Sequence, residues 1–185
     1  MKVVTIGCSA SEIISACRVT ISNLAKGGHK VYAIIAAGGV SKSSSSSSSS
    51  SEVENDQKLL AQIGIAGTFL IDSFDYSAIT QSNADAVRVH INNIYPSLVI
   101  MPFWKSPNHM RRILARTSLI ACRGIGSVLM YELDANNTSF NPTVIFKMSE
   151  EPGASLRHAN FASYEKLEEK LESHRTLLLE EGGLI

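Results

Sequence analysis

Short runs of unbroken apolar residues alternate along this chain with longer stretches whose apolar positions recur every three or four residues. The first run, Val3, Val4, Thr5 and Ile6, is followed over 11–26 by Ile13, Ile14, Cys17, Ile21 and Leu24 on one helical face, closed by Gly27 and Gly28. The same pairing recurs. The pattern predicts strands at 30–36, 68–71, 98–101, 127–132 and 143–147, with helices at about 52–62, 83–93 and 108–121. Strands that are apolar throughout, rather than alternating, belong to a parallel sheet covered on both faces. The expectation is an α/β fold: a Rossmann-like three-layer sandwich with a mainly parallel sheet. A closing helix is expected at 163–179, with Leu167, Leu171 and Leu178 facing inward and its Glu and Lys residues in water.

Length and charge narrow this picture. At 185 residues, with 44% hydrophobic and 18% charged side chains, the chain suits one domain over 1–185. Seventeen basic residues balance seventeen acidic ones, so no global field draws in nucleic acid or an anionic membrane surface. No apolar stretch reaches the ~20 residues of a membrane span, and the first residues carry no signal-peptide pattern. A cytoplasmic protein is expected. Cys8, Cys17 and Cys122 lack CxxC spacing, and buried free thiols are the expectation for the last two. Ser41 and Lys42 lead into nine consecutive serines, and a mobile connection is expected over 41–51, hanging over the ligand-binding end of the sheet.

Two segments fall where a strand should end and a helix begin, the crevice where open α/β sheets place their ligands. One is Gly7-Cys8-Ser9-Ala10-Ser11-Glu12 and the other Ser106-Pro107-Asn108-His109. Cys8 is either a thiolate ligand or nucleophile, or a small residue that fills space. His109 is either a ligand or proton donor, or the start of a helix capped by Asn108. Ser9 and Ser11 either receive an anion or sugar hydroxyl or cap the first helix, with Glu12 favourable in its first turn. Trp104 offers an apolar face for a sugar ring, or packs on its own helix. Lys105, Arg111 and Arg112 form a basic group that fits an anionic sugar or is simply solvated. His29, His90, His158 and His174 are read as lying on turns or helix faces without ligand spacing. A dinucleotide site is disfavoured, because the first turn lacks the GxGxxG glycines.

The order of elements, with Lys26-Gly27-Gly28-His29 after the first helix, Ile63-Gly64-Ile65, Phe69 to Asp75 and Pro96 to Pro102, resembles the PIG-L (LmbE-like) family of zinc-dependent N-acetyl sugar deacetylases. Later pieces are similar too: Ala121-Cys122-Arg123, Ser127 to Glu132, Phe140 to Thr143 and the stretches at Lys166 and Ser173. The resemblance spans almost the whole chain and implies a hydrolase acting on linear amides. It places the metal ligands at Cys8, Ser11 and His109, the general base at Ala10 and the oxyanion residue at Ser106; only His109 is the family's residue type. Glu12 and Asp75 are the nearest substitutes for a missing ligand and, with Trp104 and Lys105, the candidate substrate contacts. A catalytic zinc site needs about three strong protein ligands, and loss of a general base costs roughly 10²- to 10⁴-fold in rate. The resemblance therefore implies a catalytically impaired, sugar- or partner-binding protein of surface-polysaccharide or glycolipid metabolism. An active deacetylase with a non-standard ligand set is the alternative. Zinc is the only cofactor implied; the expected partners are a small carbohydrate or a protein, with room for a homo-oligomer.

Overall fold

The computed structural model describes residues 1–37, 49–147 and 158–163. Five strands run parallel in the order β3-β2-β1-β4-β5: β1 (Lys2–Gly7), β2 (Lys30–Ala36), β3 (Ile65–Ile71), β4 (Leu98–Pro102) and β5 (Ser127–Tyr131). Two more, β6 (Val144–Lys147) and β7 (His158–Ser163), extend the β5 edge antiparallel, with β7 between β5 and β6. Four helices connect the parallel strands: α1 (Ala10–Lys26), α2 (Ser49–Gln62), α3 (Gln81–Ile94) and α4 (His109–Ala121). This is the expected α/β sandwich with a mainly parallel sheet.

The unbroken apolar runs are explained by the two cores they serve. Val4, Ile6, Ile34, Val99, Met101, Val128 and Met130 point to one face, where α3 and α4 contribute Val87, Ile91 and Leu114. Their neighbours Val3, Val31, Ala33, Ile35, Leu98, Ile100 and Leu129 point to the other, against Ile13, Cys17 and Ile21 of α1 and Leu60 of α2. Every second residue thus has a buried place on each side, and each large aliphatic chain so buried contributes about 1.5–3 kcal/mol. Gly64 turns the chain from α2 into β3 at φ +101°, and a Cβ there would lie 2.5 Å from that of Ala25. Glycine meets both the conformational and the steric demand.

Helix starts follow local chemistry. Ser9 caps α1 by accepting from the Glu12 amide at 3.2 Å, and Asn108 caps α4 by accepting from the Arg111 amide at 3.1 Å. Cys17 and Cys122 are buried free thiols.

Three expectations change. Ser49, Ser50 and Ser51 belong to α2, so the connection read over 41–51 is too long at that end; extending an existing helix by one residue costs far less than starting one. Residues 41–48 lie outside the described residues. His158 opens strand β7 rather than a turn or helix, and β7 was not read from the sequence at all, because His158-Ala159-Asn160-Phe161-Ala162-Ser163 is short and weakly apolar. Beyond Ser163, the helix expected at 163–179 lies outside the described residues.

The chain leaves β1 toward β2 on one side and reaches β4 on the other, so the order reverses between β1 and β4. Both sequence segments singled out above follow the carboxyl ends of these two strands, at the switch point where open sheets hold ligands.

Candidate functional site

The β1–α1 turn is built around Gly7. A Cβ at this position would lie 2.6 Å from Ile13 Cγ1 and 3.2 Å from the Tyr131 hydroxyl, so glycine lets β5 send a phenol against the turn. Tyr131 is fully buried, and its hydroxyl proton is shared between the Glu12 carboxylate at 2.7 Å and the Ile6 carbonyl at 3.0 Å. Burial and the neighbouring Glu12 charge hold this phenol well above its ordinary pKa, so it stays a donor.

Glu12 belongs to a charged group that spans three elements. Its other oxygen lies 3.4 Å from Arg111 Nε of α4, an ion pair without the alignment of a hydrogen bond. Arg111 Nη1 lies 3.4 Å from Oε1 of Glu132, which directly follows β5. The Glu132 side chain is 1% exposed, Glu12 10% and Arg111 20%. Glu132 Oε1 also accepts from the Leu133 and Asp134 amides at 2.8 and 3.1 Å and from the Ser106 hydroxyl at 3.2 Å; Oε2 accepts from Asn137 Nδ2 at 2.7 Å. These donors stand in for the hydration that a carboxylate loses when it is taken out of water.

A second group, without an ion pair, lies in the same crevice. The Tyr76 hydroxyl donates to the Ala36 carbonyl at 2.6 Å, and Cys8 lies within electrostatic reach of it. Burial first, then the charge of Glu12, push the Cys8 thiol up to about 12, so it is protonated near neutrality. His109 Nε2 lies 2.9 Å from the Tyr76 carbonyl, and Arg112 Nη2 lies 3.3 Å from Nδ1. A carbonyl can only accept and a guanidinium can only donate, so the two contacts are met together by the tautomer that carries its proton on Nε2. Tyr76 thus lies between Cys8, beside its hydroxyl, and His109, at its carbonyl.

The remaining sequence candidates are placed as follows. Ala10 is fully buried in the α1 core, and Ser106 is fully buried with its hydroxyl given to Glu132. Ser11 is exposed, 3.0 Å from the Ser9 hydroxyl. Asp75 is exposed at the rim, where its carboxylate accepts from the Ser77 amide at 2.8 Å; that bond holds it below its ordinary value. Trp104 is half-buried beside Phe103, with Lys105 Nζ 4.5 Å and the Arg116 guanidinium 5.9 Å from its ring centre, distances for cation–π contact. The basic group read from the sequence is dispersed: Lys105 to Trp104, Arg111 to the glutamates, Arg112 to the Ser106 and Pro107 carbonyls and His109. Glu132 and Tyr76 were not among the sequence candidates. A charged residue ending an apolar strand, as Glu132 does, is the signal that was present; Tyr76 carried none.

These residues do not fit a zinc ion. Burial raises the Cys8 thiol, the Ser11 hydroxyl is a weak ligand, and the His109 ring nitrogens already contact the Tyr76 carbonyl and Arg112, whereas zinc needs deprotonated ligands with a lone pair to give. Among the described residues no group of three His, Cys, Asp or Glu side chains is arranged to hold a metal.

No protein-family profile matches the chain, and no curated protein matches it in sequence. Solved structures do match in fold. GalB, the 4-carboxy-2-hydroxymuconate hydratase from Pseudomonas putida KT2440, is similar over 78% of this chain and 71% of its own, with a TM-score of 0.64 and 12% identity. N,N'-diacetylchitobiose deacetylase from Pyrococcus horikoshii is similar over 94% and 68%, with a TM-score of 0.61 and 14% identity. The zinc-inhibited form of the teicoplanin deacetylase Orf2 is similar over 82% and 79%, with a TM-score of 0.59 and 11% identity. At such identity they establish a shared α/β fold. One scaffold serves a hydratase and two deacetylases, so the fold by itself does not choose a reaction.

Proposed function

We propose that this protein is a PIG-L-like scaffold of carbohydrate metabolism that works as a sugar- or partner-binding module rather than as a zinc hydrolase. The observation that carries this reading is the state of the switch-point crevice. Every side chain at a family ligand or base position is neutral, hydrogen-bonded elsewhere or, at Ala10, buried and without a polar atom. Hydrolysis of an amide needs an activated water and a group to take its proton, and none of these positions supplies either. The deacetylases of like fold, which act on chitobiose and teicoplanin, support a carbohydrate as the ligand class. Trp104 with Lys105 and the exposed rim of Asp75 and His109 offer an apolar face and polar edges to a sugar ring.

The test is acetate release from N-acetylglucosamine and N,N'-diacetylchitobiose with added zinc. Background rates are expected, together with sugar-induced shifts in the fluorescence of the single tryptophan. Zinc-dependent acetate release that is lost in His109→Ala would overturn the reading and favour the active deacetylase.

A further inference from the structure

We propose that the Arg111 guanidinium is the resident cation of this crevice, a side chain doing the electrostatic work that a metal ion does elsewhere on this fold. Two carboxylates, Glu12 from α1 and Glu132 from the end of β5, are almost wholly removed from water. Burying one such charge without a counter-ion is prohibitive, and burying two together is worse. Arg111 reaches both, Nε toward Glu12 and Nη1 toward Glu132, each at 3.4 Å. It comes from the first turn of α4, a position that the helix dipole disfavours for a cation, so the two carboxylates are what hold it there. A planar fork with separate donors suits this bridging, which a point-charge ammonium cannot reproduce. The field of Arg111 also reaches Cys8, so the guanidinium lies within electrostatic range of the first family ligand position. A divalent cation placed there would meet a fixed positive charge instead of free carboxylates. Through this one residue α4 is tied to α1 and to β5, which fixes the walls of the crevice.

The inference rests on the metal-free part of the proposed function and not on the carbohydrate part. It is tested on the full chain by thermal unfolding of wild type, Arg111→Ala and Arg111→Lys with and without millimolar Mn²⁺, Mg²⁺ or Zn²⁺. Wild type is expected to be insensitive to all three. Arg111→Ala should lose about 6–20 °C in Tm, the range for breaking a buried pair in a domain of this size. It should recover part of the loss with Mn²⁺ or Mg²⁺, whose preference for oxygen ligands matches the two carboxylates. Arg111→Lys should fall between. If Arg111→Ala does not fold, the variant Glu12→Gln/Arg111→Met/Glu132→Gln removes all three charges together and is expected to fold. The proposal is overturned if wild type gains stability with stoichiometric zinc, if Arg111→Ala is unchanged or its loss is indifferent to cations, or if the charge-free variant fails as Arg111→Ala does. Acetate release by a wild type that ignores metals would sink the proposed function alone.

Discussion

Two clusters share the carboxyl end of the sheet and are held by different forces. Glu12, Arg111 and Glu132, with Tyr131, Ser106 and Asn137, form a charged cluster in which every member compensates another. Cys8, Tyr76 and His109 form one without an ion pair, held by burial and by hydrogen bonds to two main-chain carbonyls. The difference is one of consequence on removal. Taking a partner from the first leaves a buried charge exposed to its own desolvation cost, whereas taking one from the second leaves at most an unpaired dipole. The charged cluster should therefore behave as structure and the second as the more tolerant of change.

The largest effect is expected for Glu132→Ala, which orphans Arg111 on that side together with the Leu133 and Asp134 amides. We expect about 3–5 kcal/mol of lost stability, read by urea unfolding; a loss under about 1 kcal/mol would show that water reaches the cluster. Tyr131→Phe comes next. It deletes one hydroxyl and leaves Glu12 and the Ile6 carbonyl each short of a donor, at a cost of about 1–3 kcal/mol in the same assay. A double-mutant cycle between Tyr131→Phe and Glu12→Gln should give coupling, since both lie in one network.

His109→Ala tests the other cluster. Its ring is exposed and makes one good bond to Tyr76, so the expected cost is about 0.5–1.5 kcal/mol. A cost like that of Glu132→Ala would erase the contrast between the clusters. The smallest effect at neutral pH belongs to Cys8. Its folded pKa is raised from 9.0 to about 12, so the protonated thiol contributes stability that is complete below pH 9 and is lost as pH rises toward 12. Cys122 is raised in the same way by burial and adds to the same window. Tm measured from pH 7 to 11 should be flat and then fall, and Cys8→Ala should lessen the fall; an unchanged slope would mean that Cys8 does not titrate there.

Much of this molecule was legible before folding, because local chemistry decided it. Apolar runs and 3.6-residue spacing marked five parallel strands and four helices, and Ser9 and Asn108 announced the helix starts by their own side chains. Those features depend on neighbours within a few residues, so the order of the sequence is enough. Strand β7 escaped because its place is set by pairing with β5 and β6 rather than by its own apolarity. The site was legible only as a location. That His109 meets the Tyr76 carbonyl, and that Arg111 serves two glutamates instead of an anionic ligand, depends on residues 21 to 99 positions apart. The sequence determined which groups arrive at the carboxyl ends of β1 and β4. Tertiary packing decided their surroundings, since the Cys8 thiol is raised by the water it has lost and the glutamates take their partners from other elements.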